Sequence, residues 1–222
     1  MKWYRSIMRA FAEHRFVVVD VETTGTSHGR GDRVTEVAAV LIEGGDVTDG
    51  FHSLINPERP IPWRVTALTG ISSEMVADAP TFRDVAGPFA DVLRGRIFVA
   101  HNAPFDWGFL GMEFARIGRA DALDGVPLCT VRLARRMLAH LPRRNLDAVA
   151  MHYGVPIESR HRALGDARAT ALVLRCLLHD AERQGVDTIE ALHKWMARRA
   201  PVRRRRSAMP HWAPDRGLGD GA

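Results

Sequence analysis

Residues 16–25 read FVVVDVETTG, and this short stretch constrains the chain more than any other. The continuous apolar, β-branched run at Phe16–Val19, resumed at Val21, is the pattern of a central strand covered on both faces. Side chains two apart on a strand share a face, so Asp20 and Glu22 project together from the end of that strand. Ends of central strands are where α/β folds place ligand sites. Taken alone, such an acid pair is most often the solvated exit of a strand. Its meaning depends on what else arrives there.

The downstream pattern supplies the frame. VTEVAAVLIEG, the turn signal Gly44-Gly45-Asp46 and VTDGFHSLINP read as a β-hairpin, so the first three strands are adjacent and antiparallel. Pro57, Pro60 and Pro62 force an irregular extended stretch. A short helix capped by Ser72 or Ser73 follows, then a helix from about Thr81, expected to be interrupted or bent near Gly87-Pro88. RIFVAHNA is a fourth strand ending in polar residues, APFDWGFLGMEFARIG a helix and VPLCT a short fifth strand. Helices are expected around 131–139 and 145–153, from near Gly165 and over 187–197. In the third of these, Ala169, Leu172, Val173, Cys176 and Leu177 keep helical spacing. Strands followed by alternating helices and strands imply an α/β fold, a mixed five-stranded sheet with helices on both faces.

Two further acids fall at ends of buried elements. Asp106 lies in VAHNAPFDWGFL, in the first turn of a helix just after a strand end. Asp166 lies in HRALGDARATA, again in a first turn, five residues after His161. Each alone could be a helix-terminal charge favoured by the dipole. Four carboxylates brought close repel one another unless neutralised, and a divalent metal is the usual remedy. An all-oxygen donor set favours Mg²⁺ or Mn²⁺ over Zn²⁺. A pair of such ions can stabilise the attacking and leaving oxygens of an in-line displacement at phosphorus. A bound water then needs a base, and an imidazole suits that work, which points to His161. His101 stands at a strand end where it can shape the site without acting as the base. His14, His28, His52, His140, His152, His179 and His211 lack comparable acids and are read as surface histidines.

FVVVDVETTG, LTGI, VAHNAPFDWGFL, RNLDAVAMHYGV and HRALGDARATA resemble, in order, the motifs of DEDDh exonucleases, and most of all the epsilon (proofreading) subunit of bacterial DNA polymerase III. The likeness covers roughly residues 15–178, and an ordered set of motifs is far more specific than any one of them. It implies an RNase H-like fold and release of nucleoside 5′-monophosphates from a 3′ end with two divalent ions. It implies that Asp20, Glu22, Asp106 and Asp166 are metal ligands and that His161 is the general base. Thr23, Thr24 and Gly25 resemble the segment whose backbone approaches the terminal nucleotide. Leu68 in LTGI resembles the residue that wedges against the terminal base, and Asn102 and Phe105 further contacts near the scissile end. The expected ligand is a single-stranded or frayed 3′ end of DNA, since ETTG at residues 22–25 favours DNA over RNA, and the expected role is either proofreading with a DNA polymerase as partner or free-standing repair. An exoribonuclease trimming RNA, and a non-catalytic module binding polymerase or nucleic acid, are the alternatives.

Composition sets the boundaries. In a chain of 222 residues, a hydrophobic fraction of 46% can bury a substantial core. Seven arginines and two aspartates after residue 197 account for the whole net charge of +5, leaving the body formally neutral. The organisation expected is an amphipathic lead-in helix over 1–14, an exonuclease domain over 15–197 and an arginine-rich, disordered tail over 198–222. No second folded domain is read after residue 197. The tail is either a solubility segment or an electrostatic tether to nucleic acid or a partner, and it carries no recognisable polymerase or clamp motif. No apolar run approaches a membrane span, the N-terminus has no signal-peptide core, and Cys129 and Cys176 sit among apolar neighbours as free thiols. A cytoplasmic protein without membrane partners is expected.

Overall fold

A computed structural model describes residues 10–197. The tail expected over 198–222 and most of the lead-in helix lie outside the described residues; Ala10–Glu13 form a turn. Five strands form one sheet: β1 (Phe16–Thr23), β2 (Val34–Glu43), β3 (Asp46–Leu54), β4 (Ile97–Ala100) and β5 (Leu128–Cys129). Their order is β3-β2-β1-β4-β5. The hairpin expected from Gly44-Gly45-Asp46 joins β2 to β3, and β1–β3 are antiparallel. β4 runs parallel to β1, and β5 to β4.

Eight α-helices accompany the sheet among the described residues: α1 (Trp63–Thr69), α2 (Ser73–Val76), α3 (Phe82–Leu93), α4 (Ala103–Arg116), α5 (Thr130–Met137), α6 (Leu146–Tyr153), α7 (Ala163–Arg183) and α8 (Ile189–Ala197). The period-2 alternation of β1 divides the core. Phe16 and Val18 pack with residues of α5, α6, α7 and α8 on one face. Val17, Val19 and Val21 pack with α3 and α4 on the other. The sheet is therefore covered twice, as the unbroken apolar run demanded. None of the described helices is long and apolar enough to cross a membrane. Cys129 and Cys176 are free thiols; Cys129 is buried and Cys176 partly so.

One of the two outcomes expected near Gly87-Pro88 does not occur. α3 runs through Pro88 without the interruption its proline suggested. Proline removes one backbone bond and crowds the preceding turn. Here the burial of Phe82, Ala86, Phe89, Ala90 and Leu93, with Phe82 and Phe89 both against Phe114, outweighs that loss. A capping box between Thr81 and Asp84 secures the first turn.

Candidate active site

Continuing the alternation of β1, Asp20 and Glu22 fall on the face with Phe16 and Val18, the face covered by α7. Asp166 enters from the first turn of α7. One carboxylate oxygen from each of Asp20, Glu22 and Asp166 lies within 4.8 Å of the other two. Asp106, buried in the first turn of α4, reaches the same strand end, where its Oδ1 accepts from the backbone N–H of Val21 at 3.2 Å. The structure thus gathers four acids that lie up to 146 residues apart in the chain.

Their electrostatics are those of acids crowded together and partly withdrawn from water. Burial pushes the Asp20 carboxyl well above its usual range, and the charges of Asp106, Glu22 and Asp166 push it further. Burial, then Asp166 and Glu36, raises Glu22 to about 7. Burial also raises Asp106 and Asp166. Asp166 Oδ2 accepts from the Arg160 guanidinium and from the His161 backbone N–H at 3.3 Å. Its Oδ1 is buried and has no hydrogen-bond partner. A buried, unsatisfied oxygen on a carboxylate that lies beside two further acids is costly in isolation and fits a hard divalent cation.

These shifts have a consequence for stability. Between pH 4.5 and about 7 the folded protein keeps a proton on Glu22 that the unfolded chain has lost. Stability of the metal-free protein therefore falls as pH rises through that window, by roughly 3 kcal/mol. Urea unfolding with chelator across this range should show the decline. Glu22→Gln should make it shallower, the raised Asp20, Asp106 and Asp166 keeping the rest, and a saturating divalent ion should remove it. A metal-free protein equally stable at pH 5 and pH 7.5 would contradict the electrostatics of the cluster.

The remaining expected residues are placed as follows. Thr23 and Thr24 are buried. Thr23 Oγ1 donates to the Gly25 carbonyl at 2.5 Å, while Thr24 Oγ1 accepts from the Arg33 N–H at 3.0 Å. A Cβ on Gly25 would stand 2.3 Å from Asp32 Oδ2, so any other residue here would push that carboxylate off the Ser27 N–H it accepts from. The threonine side chains are thus committed within the turn, and the Thr24 backbone N–H is bonded to the Arg33 carbonyl at 2.8 Å. Asn102 adopts a left-handed conformation (φ 77°) at the start of α4, and its side chain makes no capping bond. Phe105 packs its ring 4.8 Å from that of Phe109. Leu68 is 57% exposed on α1, and no recorded contact joins it to the acids. The His161 ring is partly exposed beside Asp166.

His101 is pinned on both nitrogens, with Nδ1 2.7 Å from Thr130 Oγ1 and Nε2 3.1 Å from the Arg144 carbonyl. The carbonyl requires the proton on Nε2, and burial lowers the pKa to about 4. His101 is therefore a neutral cross-link. His52, read from sequence as a surface histidine, is exposed, and it also places Nε2 2.8 Å from Glu36 Oε1, because β3 pairs with β2 there. Sequence also gave no role to Glu36, Asp32, Arg160 or Arg162; the signal that could have found Glu36 is a lone acid inside the apolar run VTEVAAV.

Beyond the end of β4, His101, Asn102, Val131, Arg135, Pro142, Arg143, Arg144 and Asn145 line an open groove of about 500 Å³. Arg135 and Arg143 are exposed, and neither has an ion pair recorded among the described residues. A larger cavity of about 610 Å³ lies at the opposite end of β4 and is lined by none of the four clustered acids.

Residues 17–174 match the family model RNase_T, described as Exonuclease. The chain belongs to the exonuclease family. This exonuclease-family chain is 33% identical over 203 residues to the PolC-type DNA polymerase III of Bacillus subtilis, covering 91% of this chain and 14% of that protein. It is 41% identical over 171 residues to the PolC-type enzyme of Oceanobacillus iheyensis, covering 77% of this chain and 12% of that one. It thus spans only a small part of the length of these relatives. Among solved structures, exonuclease X in complex with 5′-overhanging duplex DNA superposes with a TM-score of 0.59 at 26% identity, over 82% of this chain and 99% of that one. Escherichia coli exonuclease I, solved with a dT13 oligonucleotide, gives 0.65 at 16% identity over 78% of this chain and 42% of that one, a likeness of fold. The mixed five-stranded sheet with helices on both faces is the RNase H-like fold of these exonucleases.

Proposed function

We propose that this chain is a 3′–5′ exonuclease that removes nucleoside 5′-monophosphates from DNA ends with two divalent ions, Mg²⁺ or Mn²⁺. The observation that carries the reading is the carboxylate cluster at the end of β1, with its unpartnered Asp166 oxygen and His161 alongside. Family membership supports the reaction, and the DNA bound to exonuclease X supports the substrate. The PolC-type relatives support a polymerase as partner.

Asp20, Glu22, Asp106 and Asp166 would hold the ions. Bound there, hard divalent ions supply Lewis-acid stabilisation of charge on the attacking and leaving oxygens. His161 takes the proton from the attacking water as general base. The 23–25 turn offers backbone to the terminal nucleotide, and the free Asn102 amide and the Phe105 ring contact it. Leu68, exposed on α1, wedges against the terminal base.

The groove with Arg135 and Arg143 continues from Asn102 and gives the strand a cationic path away from the acids. Replacing both arginines by glutamine should weaken single-stranded DNA binding. It should also reduce the salt slope of log K by about 1 to 1.5, as expected for two lost phosphate contacts on a single strand. An unchanged slope would route the strand elsewhere.

The function is tested with 5′-labelled single-stranded DNA and RNA of one sequence, with Mg²⁺, Mn²⁺ or chelator. A metal-dependent ladder shortening from the 3′ end of DNA is expected. The same ladder mainly on RNA would overturn the substrate, and no ladder on either would overturn the function.

A further inference from the structure

We propose that Glu36, acting through Arg162, is a positioning residue that fixes His161 for catalysis. The inference rests on the reading of His161 as the base. Glu36 lies near the start of β2, paired with Glu22 of β1, and is fully buried. A carboxylate so placed must be fully bonded to be tolerated. Its oxygens accept from Arg162 Nε at 3.1 and 3.2 Å, Arg162 Nη2 at 2.8 Å and the Ala163 backbone N–H at 2.9 Å. His52 Nε2 lies 2.8 Å away on the remaining side. This one acid therefore joins β2 and β3 to the start of α7, 126 residues downstream.

What it anchors is the segment that carries His161. Ser159 and His161 both hold left-handed backbone conformations (φ 53° and 61°). Non-glycine residues occupy that region only where their surroundings over-determine it. Each side of His161 is clamped. Arg160 is tied to Asp147, with Nε 2.8 Å from Oδ1, and reaches Asp166. Arg162 is tied to Glu36. Beneath them Gly165 admits the Glu158 carbonyl, which would stand 1.8 Å from a Cβ at that position. No ring hydrogen bond is recorded for His161, so its direction is set by the backbone that these clamps hold. Orienting a base before substrate arrives removes an ordering cost from the reaction step, which acts on kcat.

The test is steady-state kinetics of the full chain on labelled single-stranded DNA, with Arg162→Gln as the main variant. Its side chain is 35% exposed, but its loss leaves the buried Glu36 without its arginine, so Glu36→Gln/Arg162→Gln is measured beside it to keep the site free of an unpaired charge. Glu36→Gln and Arg162→Lys accompany it, each checked by thermal unfolding. Arg162→Gln should lower kcat at least tenfold with KM changed less than about twofold, and Arg162→Lys should recover part of the loss. In a His161→Ala background, Arg162→Gln should cost less than about twofold, because the group it positions is gone. An equal loss in both backgrounds, or no loss in either, would overturn the positioning role while leaving the base intact. Unimpaired turnover of His161→Ala alone would overturn the base, and the positioning role with it.

Discussion

Asp166→Asn should abolish exonuclease turnover, by about a thousandfold or more, while raising the stability of the metal-free protein. Asparagine keeps the shape of the side chain and an oxygen to accept from the His161 N–H, so the start of α7 should hold. It removes the negative charge from an oxygen that is buried and otherwise unpartnered. A hard cation loses a ligand there, and charge stabilisation at the reacting phosphate goes with it. The same change relieves repulsion, because Asp166 is among the charges that raise both Asp20 and Glu22. Lost activity with a raised metal-free Tm is a signature that simple unfolding does not give. Turnover within tenfold of the unmodified chain would remove Asp166 from the site. A fall in metal-free Tm would mean that its pairing with Arg160 outweighs the repulsion.

His161→Ala should lower kcat by about a hundred- to ten-thousandfold, the usual worth of a positioned base. Binding of single-stranded DNA, measured with Ca²⁺ in place of the working ion, should change by less than about threefold. The separation follows from the geometry. The backbone N–H of His161 bonds Asp166 and survives the substitution, while the ring has no structural bond to lose. The carboxylate cluster should therefore still form. Loss of binding in step with turnover would make His161 a substrate contact or a structural element instead. Full turnover would leave the water to be activated without it.

The two predictions draw on different kinds of legibility. Asp20 and Glu22 could be placed together from sequence because strand geometry is local: two residues apart means one face. The opposite faces of the core, Phe16 and Val18 against Val17 and Val19, followed from the same alternation. Asp106 and Asp166 could be placed at the first turns of helices, since the flanking apolar periodicity marks where those helices begin. The hairpin was legible in its two glycines. Of the interruption or bend expected at Pro88, the interruption does not occur, because proline's local cost is visible in sequence, whereas the aromatic packing that overrides it is not.

The sequence by itself determined the strand, the faces and the residue types of the chemistry, because these depend on periods of two and 3.6 residues. Only the tertiary structure decided that Asp20, Glu22 and Asp166 lie within 4.8 Å, that Asp32 closes the 23–33 turn, and that Glu36 holds the segment bearing His161. Those relations join residues brought together by chain folding, up to 146 positions apart. No local pattern encodes which buried acid will meet which arginine. That pairing is chosen by the packing of α7 on the sheet, where an unpaired buried charge would be too costly to keep.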